Sequence, residues 1–337
     1  MIKLRAAIVG CGAIYTNHAE ALTNNDNIEL VCVCDINEEK AANAADKYKC
    51  RYYTDYNEML KTEKLDVVHI CTPHYLHASM SITAMQSGKH VLTEKPMAIS
   101  VSDARSMIDV SKKTGKRLGV CFQNRFNATS VRIKEAIDSG EVGKVIGAKG
   151  LVTWHREAPY YVNSGWRGSW ETEGGGVLIN QSIHTLDLLQ WFLGDINYIK
   201  GSVDTRLLEE VIEVEDTAEA TIKFKTGATA IFYATNCYAT DSPVELEIIC
   251  EKAVLKLNGD LIIKYKNGET SCTTDAFKAT GEKAYWGSGH KLLINNFYKK
   301  LIDNTVFSIN GEQAITAVQM IRAIYKSQKE KQYVKLS

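Results

Sequence analysis

The 337-residue sequence contains only four prolines, no excess of either charge and no apolar run of membrane-spanning length. Its 40 Lys and Arg residues balance 40 Asp and Glu residues, so it lacks the basic character that attracts nucleic acid or an anionic membrane. A transmembrane helix would need about 20 consecutive apolar residues. These absences argue against nucleic-acid and membrane partners and favour a small, nearly neutral ligand.

The sequence also lacks the patterns of a secreted or zinc-binding protein. The opening residues, MIKLRAAIVG, run directly into a strand-like segment without a leader pattern. The nine cysteines show no CxxC spacing, and five lie in or beside apolar strand patterns: Cys11, Cys32, Cys34, Cys71 and Cys121. Such cysteines are typical of small buried side chains in a reducing compartment. We therefore expect a cytoplasmic protein without a metal site.

Short, nearly continuous apolar runs of strand length recur in the first part of the chain, at 4–10, 28–34, 66–72, 90–93 and 117–122. Helical patterns separate them, at 13–24, 37–48, 77–87 and 102–114. Continuous apolar runs suit strands that are buried on both faces. Because strands alternate with helices, we predict a parallel, doubly wound α/β sheet.

After about residue 123 the pattern changes to that of strands with one buried face. In EDTAEATIKFK, residues 215–225, apolar and polar residues alternate. Further strand-like runs lie at 229–238, 245–250, 253–257 and 260–266, and helical stretches at 128–138, 177–193, 290–303 and 311–329. Since the chain is longer than one core usually supports, we predict two domains, 1–122 with a parallel sheet and 123–337 with an antiparallel sheet.

The segment GCGAIY follows the first predicted strand and begins the first helix, which is the context of a dinucleotide-binding turn. Gly10 permits a tight turn, and Gly12 lets the backbone approach a pyrophosphate. Ala13 and Ile14 complete the entry to a helix whose N-terminus stabilises negative charge. A tight turn that binds nothing is the alternative interpretation.

An acidic residue, Asp35, ends the second predicted strand. A carboxylate at this position can accept hydrogen bonds from the ribose hydroxyls of a dinucleotide, and it would repel a ribose phosphate. The order of strand, glycines, helix, strand and aspartate therefore predicts NAD as the cofactor, with NADP possible.

Two of the four prolines, Pro73 and Pro96, follow apolar strands in the segments CTPH and TEKP. In an open parallel sheet the ligand crevice lies beyond the carboxyl ends of the strands, so Thr72, Pro73, Glu94 and Lys95 are predicted to line it. A residue before proline is restricted to extended geometry, which holds the backbone of Lys95. A lysine held at such a crevice suggests function, although most lysines are solvated surface residues.

A second cluster lies in GGGVLINQSIHTLDLLQWF, residues 174–192. If a helix begins near Gly176, then Asn180, His184 and Asp187 share one face. A histidine on a mostly apolar helix is often a hydrogen-bonded core residue. Three polar residues on one face, preceded by glycines that permit close backbone approach, instead favour a functional site. A metal site here is a poor fit, because asparagine is a weak ligand and no second histidine is near.

Other polar and aromatic residues are less decisive. His74 and His77 follow the strand-like run 66–72 and could cap a helix or touch the cofactor. Aromatic and guanidinium groups that suit a sugar or nucleotide occur in or beside the loop 156–173, although packing between domains would also explain them. The members of this group that we assign to substrate binding are Trp154, Tyr160, Trp166 and Arg167.

Together these motifs resemble the glucose-fructose oxidoreductase, inositol dehydrogenase and rhizopine-catabolism (Gfo/Idh/MocA) family. The resemblance spans nearly the whole chain through GCGAIYTNHAEAL, CTPHYLHASMSITAMQSGKHVLTEKPMAIS, WRGSWETEGGGVLINQSIHTLDLLQWFLGD and GEQAITAVQMIRAIYKS. It implies a Rossmann dinucleotide-binding domain followed by an α/β domain with an open, mostly antiparallel sheet, whose exposed face often forms homodimers or homotetramers. Members mostly oxidise a hydroxyl of sugars, polyols or nucleotide sugars with NAD or NADP.

By matching position, the resemblance makes Lys95 and His184 the catalytic pair. The sequence departs from the inositol-dehydrogenase pattern at Asn180, where that pattern has aspartate, at Tyr15, which replaces the third glycine, and at His74, where asparagine is common. Asparagine at position 180 occurs in branches that act on nucleotide-linked sugars. The change therefore puts the identity of the substrate in question, whereas the expected type of reaction stays the same.

The expected chemistry is hydride transfer from a hydroxyl-bearing carbon to nicotinamide. With an unperturbed pKa near ~6.5, His184 can act as general base toward the hydroxyl, while the Lys95 ammonium stabilises negative charge on the same oxygen. Asn180 can only orient, and Asp187 either orients His184 or caps interior polar groups. The alternatives are a sugar-converting enzyme that oxidises its substrate transiently, and a catalytically silent NAD(P) sensor, although retention of Lys95 and His184 argues against a sensor.

Overall fold

In the computed structural model, residues 3–274 and 289–336 are described, and the chain divides into two units. The first unit consists of residues 1–123 and 289–315, and the second of residues 124–288 and 316–337. The segment 289–315 therefore packs with the first unit although it follows the second in the sequence. No helix of the described ranges is long and apolar enough to cross a membrane.

The first unit is built on a six-stranded, all-parallel sheet with strand order β3-β2-β1-β4-β5-β6. Its strands are β1 Leu4–Val9, β2 Ile28–Cys34, β3 Arg51–Tyr53, β4 Val67–Ile70, β5 His90–Thr93 and β6 Leu118–Val120. Its helices are α1 Tyr15–Thr23, α2 Glu38–Tyr48, α3 Tyr56–Thr62, α4 His74–Gln86, α5 Val101–Thr114 and, from the later segment, α9 Gly289–Ile302. This strand order is that of the Rossmann fold, which confirms the predicted class of this unit.

The second unit carries a nine-stranded sheet in which β10 and β7 pair in parallel and every other pair is antiparallel, with the order β14-β13-β12-β11-β7-β10-β9-β8-β15. Its strands are β7 Val145–Thr153, β8 Ile196–Asp204, β9 Thr217–Phe224, β10 Thr229–Thr235, β11 Glu245–Cys250, β12 Ala253–Asn258, β13 Asp260–Tyr265, β14 Thr270–Thr273 and β15 Val334–Lys335. Its helices are α6 Ala128–Asp138, α7 Ala158–Val162 and α8 Ile183–Leu193, and α10 Gly311–Glu330 begins in the first unit and ends in the second. The predicted open, mostly antiparallel sheet is confirmed.

Several elements were not predicted, and β7 shows why. Two glycines, Gly147 and Gly150, interrupt its apolar alternation. A Cβ on Gly150 would lie 2.9 Å from the methyl group of Thr185 and 3.2 Å from Leu189, so glycine there lets α8 pack closely on the sheet. The residue that weakens the strand signal is the one that the packing requires.

All nine cysteines are free, and the five that lie in the strand patterns of the sequence are buried, as expected of small core side chains. The unit cores are otherwise formed by aliphatic and aromatic residues. On the second sheet the alternation is clear in β9, where Ala218, Ala220, Ile222 and Phe224 are buried.

A chain of buried polar side chains runs through the core of the first unit. His69 of β4 contacts Tyr298 of α9 at 2.9 Å and His18 of α1 at 2.7 Å. The other ring nitrogen of His18 lies 3.0 Å from Oε1 of Glu94, directly after β5, and His290 of α9 reaches the same oxygen at 3.3 Å. The network joins α1, β4, α9 and the end of β5.

The direction of these hydrogen bonds follows from the charge states. Burial alone raises the pKa of Glu94, but hydrogen bonds from His18 and His290 hold this pKa well below its usual value, so the carboxylate accepts. Burial lowers the pKa of both His18 and His69, so both imidazoles are neutral. His18 then donates from Nε2 and accepts at Nδ1 from His69, whose Nε2 accepts from the Tyr298 hydroxyl.

We predict that mild acid destabilises the first unit through these histidines. Because their folded-state pKa values lie below the unfolded value near ~6.5, the unfolded chain takes up protons that the folded chain does not. Their contribution is complete above that value and falls by up to ~1.4 kcal/mol per pH unit per histidine below it. Urea unfolding at about pH 7.5 and about pH 5.5 measures the decline, which His69→Phe should reduce by removing one titrating group.

The variant His69→Phe should also be less stable at neutral pH, since it leaves polar atoms of His18 and Tyr298 without their partner. The exposed His155 provides the matched control, and His155→Phe should keep the wild-type decline. An unchanged decline in His69→Phe would show that the buried histidines do not couple to folding.

Candidate active site

The turn after β1 requires glycine at one position and leaves space at another. Gly10 has a φ of +95°, and a Cβ there would lie 2.6 Å from the carbonyl oxygen of Cys71. Apart from its two chain neighbours, no residue of the described part of the chain has an atom within 4 Å of the corresponding Cβ position on Gly12. Gly10 is thus needed by the packing of the protein itself, whereas Gly12 leaves room for close approach of a ligand.

The start of α1 and the end of β2 meet at this turn. Ile14 occupies the N-cap position of α1, and no side chain of the described residues caps the helix. Asp35 accepts the N–H of Cys11 at 2.7 Å and that of Asn37 at 2.9 Å. Asp35 therefore braces the glycine turn, a role that the sequence did not indicate, and each carboxylate oxygen still has capacity for a second hydrogen bond.

The carboxyl ends of β4 and β5 lie side by side because these strands pair in parallel. The two ring nitrogens of His77 contact the carbonyl oxygens of Thr72 at 2.8 Å and Pro96 at 2.7 Å. His77 thereby connects the segments CTPH and TEKP. Lys95 is half-buried in the second of these segments, and its peptide bond to Pro96 is cis.

The side chain of Glu94 is buried in the histidine network described above, and its Oε2 accepts the backbone N–H of Lys95 at 3.2 Å. The ligand atoms of His18, Glu94 and Cys121 lie within 4.8 Å of one another. Burial raises the pKa of the Cys121 thiol well above its usual value, which disfavours the thiolate that metal ligation requires. Hydrogen bonds account for this cluster, and through them Glu94 holds the backbone of Lys95.

In the second unit, the predicted start of a helix near Gly176 was wrong, since α8 begins at Ile183. Oε1 of Glu215 accepts the N–H groups of Gly176 and Leu178, each at 3.0 Å, and the Glu215 carbonyl accepts that of Val177. These bonds hold the segment in turns. Asn180 therefore precedes the helix and does not share a helical face with His184 and Asp187.

The three glycines before this segment serve the packing of the chain. A Cβ on Gly176 would overlap the carbonyl oxygen of Glu215, and one on Gly175 would overlap the hydroxyl of Tyr325. Arg322 donates to the carbonyl of Gly174 at 2.7 Å. The interpretation of Gly175 and Gly176 as access for a ligand is therefore corrected, because the protein's own side chains and backbone occupy the space.

Two polar side chains of this segment are not buried. From residue 173 to residue 189, every residue is buried except Asn180 and His184, which are half-buried. The Nδ1 atom of His184 is itself buried. Exchange of a proton with an approaching group is therefore favoured at Nε2.

Asn180 belongs to a hydrogen-bonded group that includes a buried acid. Its Nδ2 donates to Oε1 of Glu173 at 2.5 Å and lies 3.4 Å from the hydroxyl of Tyr160, to which Gln181 also donates at 3.1 Å. Oε2 of Glu173 accepts the N–H of Gly168 at 2.6 Å. Burial raises the pKa of Glu173 to about 7 against the lowering effect of these hydrogen bonds.

Asp187 pairs with an arginine, whereas the sequence offered it as a group that could orient His184. Arg125 donates to its two carboxylate oxygens at 2.7 and 2.6 Å, and both side chains are buried. Within the described residues this bidentate pair accounts for both oxygens. The guanidinium of Arg125 also lies 5.4 Å from the ring centre of Trp191, so the pair fixes α8 against the segment before α6.

The aromatic residues of the predicted substrate site separate into two groups. Trp154 is buried and donates to the carbonyl of Ser242 at 3.0 Å, which is a packing arrangement. Tyr160, Trp166 and Arg167 are half-buried, and the guanidinium of Arg167 stacks 4.4 Å from the ring centre of Tyr160 and 4.6 Å from that of Trp166. The second group lies beside Asn180 through Tyr160.

Sequence reasoning missed Glu173 and Glu215. An acidic residue directly before three glycines was a signal for Glu173, because such a backbone can bend around a carboxylate. Glu215 is 39 positions from the N–H group of Gly176 that it accepts, and no local pattern indicates that contact.

Models of two families match the chain. Residues 4–122 match an oxidoreductase family with an NAD-binding Rossmann fold, and residues 130–256 match the GFO/IDH/MocA C-terminal domain.

Individual proteins support the same relationship. The D-glucoside 3-dehydrogenase of Escherichia coli K12 is 28% identical over 96% of this chain and 95% of its own length. The inositol 2-dehydrogenase of Salmonella typhimurium is 31% identical over 58% of this chain and 56% of its own length. The crystal structure of the WlbA dehydrogenase from Bordetella pertussis, in complex with NADH and UDP-GlcNAcA, is 29% identical, covers 99% of each chain and has a TM-score of 0.87. The chain thus belongs to the Gfo/Idh/MocA family of oxidoreductases, and its first domain is an NAD-binding Rossmann fold.

Proposed function

We propose that the protein is an NAD-dependent dehydrogenase that oxidises a hydroxyl-bearing carbon of a sugar, polyol or nucleotide sugar. The observation that carries the proposal is the selective exposure of Asn180 and His184 in an otherwise buried segment. A merely structural histidine on this helix would be buried with its neighbours. The relatives that oxidise glucosides and inositol support the substrate class.

Among these substrates, nucleotide sugars are the first choice. Asn180 occupies the position where the inositol-dehydrogenase pattern has aspartate, and the run WRGSW is similar to the nucleotide-sugar branch of the family. The WlbA structure, which contains UDP-GlcNAcA, matches the chain over its full length. The stacked group of Tyr160, Trp166 and Arg167 offers flat faces and a positive charge, which suit a base, a sugar ring or a phosphate.

The residues of the first unit suit NAD. The open space at Gly12 and the uncapped start of α1, with Ala13 and Ile14, would hold the pyrophosphate. Asp35 would accept from the ribose hydroxyls and disfavours the phosphate of NADP. Thr72, Pro73 and Lys95 lie at the neighbouring strand ends, while His77 and Glu94 hold those ends in place.

The proposed chemistry divides between two residues. Bound NAD supplies the hydride acceptor. His184 accepts the proton of the substrate hydroxyl at Nε2, since its Nδ1 is buried. Lys95 donates a hydrogen bond from Nζ to the same oxygen and stabilises its developing negative charge. Asn180 orients the substrate, and we assign Asp187 a structural role through Arg125.

We predict different effects for alanine at the two glycines. Gly12→Ala should keep the wild-type thermal midpoint, because its Cβ would lie in open space among the described residues. It should weaken NADH binding about tenfold or more by occupying space needed by the pyrophosphate. Gly10→Ala should lower the midpoint, because the positive φ and the Cys71 carbonyl oppose a side chain. Thermal unfolding and NADH fluorescence titration measure the two effects. Wild-type NADH affinity in Gly12→Ala would show that this turn does not bind the cofactor.

The activity is tested by NADH formation from NAD with a panel of nucleotide sugars, glycosides, free aldoses and polyols. Lys95→Ala and His184→Ala should each lower kcat at least about 100-fold, the usual contribution of a general acid or base, while still binding NADH. The exposed residues Lys113 and His155 give matched controls, and their alanine variants should keep wild-type activity.

The outcome of that assay also distinguishes the alternatives. Reduced nicotinamide that forms on the protein but never accumulates in solution would indicate transient oxidation. NADH binding without reaction of any sugar would indicate a sensor. Activity that survives in both variants would contradict the roles of Lys95 and His184.

We propose in addition that the protein is a homodimer or homotetramer assembled through the open face of the second sheet. The pairing register places Ile231, Ile249 and Ile262 on the same face, where they are 62%, 44% and 38% exposed. They lie on β10, β11 and β13, and exposed aliphatic residues that share one face of a sheet are typical of an interface. The free cysteines support a reducing, cytoplasmic location.

The assembly is tested by Ile231→Lys, which places a charge at the centre of this face. Size-exclusion chromatography with light scattering should show the wild type as a multiple of the 37.5 kDa chain and the variant shifted toward the monomer. Leu207, which is 73% exposed and lies outside the strands, provides the control Leu207→Lys. A wild type of monomer mass would refute the assembly.

A further inference from the structure

Glu173 is a fully buried acid for which the proposed chemistry has no use. It lies at the end of the turn 169–173 in the second unit, and its carboxylate has two firm contacts. Oε2 accepts the backbone N–H of Gly168 at 2.6 Å, and Oε1 accepts Nδ2 of Asn180 at 2.5 Å. Asn180 in turn is one of the two half-buried residues of the 173–189 segment.

The contact with Glu173 fixes which end of the Asn180 amide faces outward. An ionised carboxylate only accepts hydrogen bonds, so the NH₂ group of Asn180 must face Glu173 and the carbonyl oxygen must point away from it. The hydroxyl of Tyr160 lies on the same side as the NH₂ group, 3.4 Å from Nδ2. The Glu173 carboxylate sets this orientation, because the Tyr160 hydroxyl can donate as well as accept and is compatible with it.

The neighbouring Gln181 has the same polarity. Its Nε2 donates to the Tyr160 hydroxyl at 3.1 Å, whereas its buried Oε1 has no hydrogen-bond partner among the described residues. A buried acceptor without a partner is costly unless a ligand or water satisfies it. A donor group of a bound ligand or a water would satisfy this oxygen, which belongs to the residue next to Asn180.

We propose that Glu173 is a positioning residue for substrate recognition, which locks the Asn180 amide so that its carbonyl oxygen accepts a hydrogen bond from a substrate hydroxyl. The inference rests on the proposed dehydrogenase function and assigns to residue 180 the role of an acceptor with fixed polarity. Glu173 acts through Asn180 and does not itself contact the substrate.

Replacing Glu173 by glutamine should reverse this polarity. A glutamine side chain has one acceptor oxygen in place of two, and the N–H of Gly168 requires it because that backbone is fixed at a φ of +83°. The glutamine NH₂ group then faces residue 180, and Asn180 must turn its own oxygen inward to accept it. In Glu173→Gln the substrate consequently meets a donor where the wild type presents an acceptor.

A second substitution should restore the acceptor. In the double variant Glu173→Gln/Asn180→Asp, the carboxylate at position 180 accepts from the glutamine NH₂ group with one oxygen and presents the other oxygen to the substrate. Asn180→Asp alone places two carboxyl groups in contact, and at the pH of the assay their repulsion disfavours the wild-type position of residue 180. Each single variant is therefore defective, and the double variant is expected to be better than either.

The test is kcat/KM of the four proteins with NAD and the best sugar of the substrate panel, about one pH unit above the Glu173 pKa so that this group is ionised. Each single variant should lose about tenfold or more, the size of one substrate hydrogen bond, and the double variant should recover at least half of that loss on a logarithmic scale. The loss should appear mainly in KM if the contact exists in the bound substrate, and NADH affinity should stay unchanged. Glu171, exposed in the same turn, gives the control Glu171→Gln with wild-type kinetics.

The possible failures are distinguishable. If the wild type oxidises no sugar, the proposed function and this inference fall together. If the wild type is active but the double variant is no better than the worse single variant, the positioning role is refuted and the dehydrogenase stands. Should Glu173→Gln not fold, as judged by thermal unfolding and NADH binding, the comparison of Asn180→Asp with the double variant decides in the same way.

Discussion

Both units of this protein depend on the same interaction, which is hydrogen bonding to a buried carboxylate next to a turn. In the first unit, Glu94 accepts from two buried histidines and from the N–H of Lys95. Burying a charge is strongly unfavourable unless hydrogen bonds replace the lost water, so this carboxylate can exist only where α1, α9 and the end of β5 are all in place. The position of Lys95 is therefore a consequence of the packing of the whole unit.

The second unit uses the same device twice. Glu215 accepts the N–H groups of Gly176 and Leu178, and Glu173 accepts that of Gly168 together with the amide of Asn180. Irregular segments have backbone N–H groups without helical partners, and a carboxylate can satisfy several of them at once. The result is a non-helical entry to α8: Asn180 lies before the helix and His184 in its first turn, and both are half-buried among buried neighbours. The carboxylates thus hold the turns that position Asn180 and the start of α8.

Local signals in the sequence were sufficient for most of the fold. The alternation of apolar runs with helical patterns predicted the Rossmann unit, including the position of Asp35 directly after β2. The signals failed where long-range packing overrides local preference. Gly150 weakens the pattern of β7 because α8 needs the space, and the helix pattern around Gly176 yields to Glu215, whose contact spans 39 residues. Asp187 matched a catalytic pattern, yet its partner Arg125 lies 62 residues away and only the structure reveals it.

Hydride transfer to NAD is the central claim, and the most direct measurement is a single-turnover experiment. Protein in excess over NAD is mixed with the reactive sugar deuterated at the carbon to be oxidised, and the absorbance of reduced nicotinamide and the deuterium content of the recovered coenzyme are followed. We predict that reduced coenzyme appears with the wild type, carries the deuterium and forms at least about 100-fold more slowly with His184→Ala. This readout detects transfer even when the reduced coenzyme never leaves the protein. Deuterium that remains entirely in the sugar, with NAD unreduced on the protein, would contradict the proposed reaction.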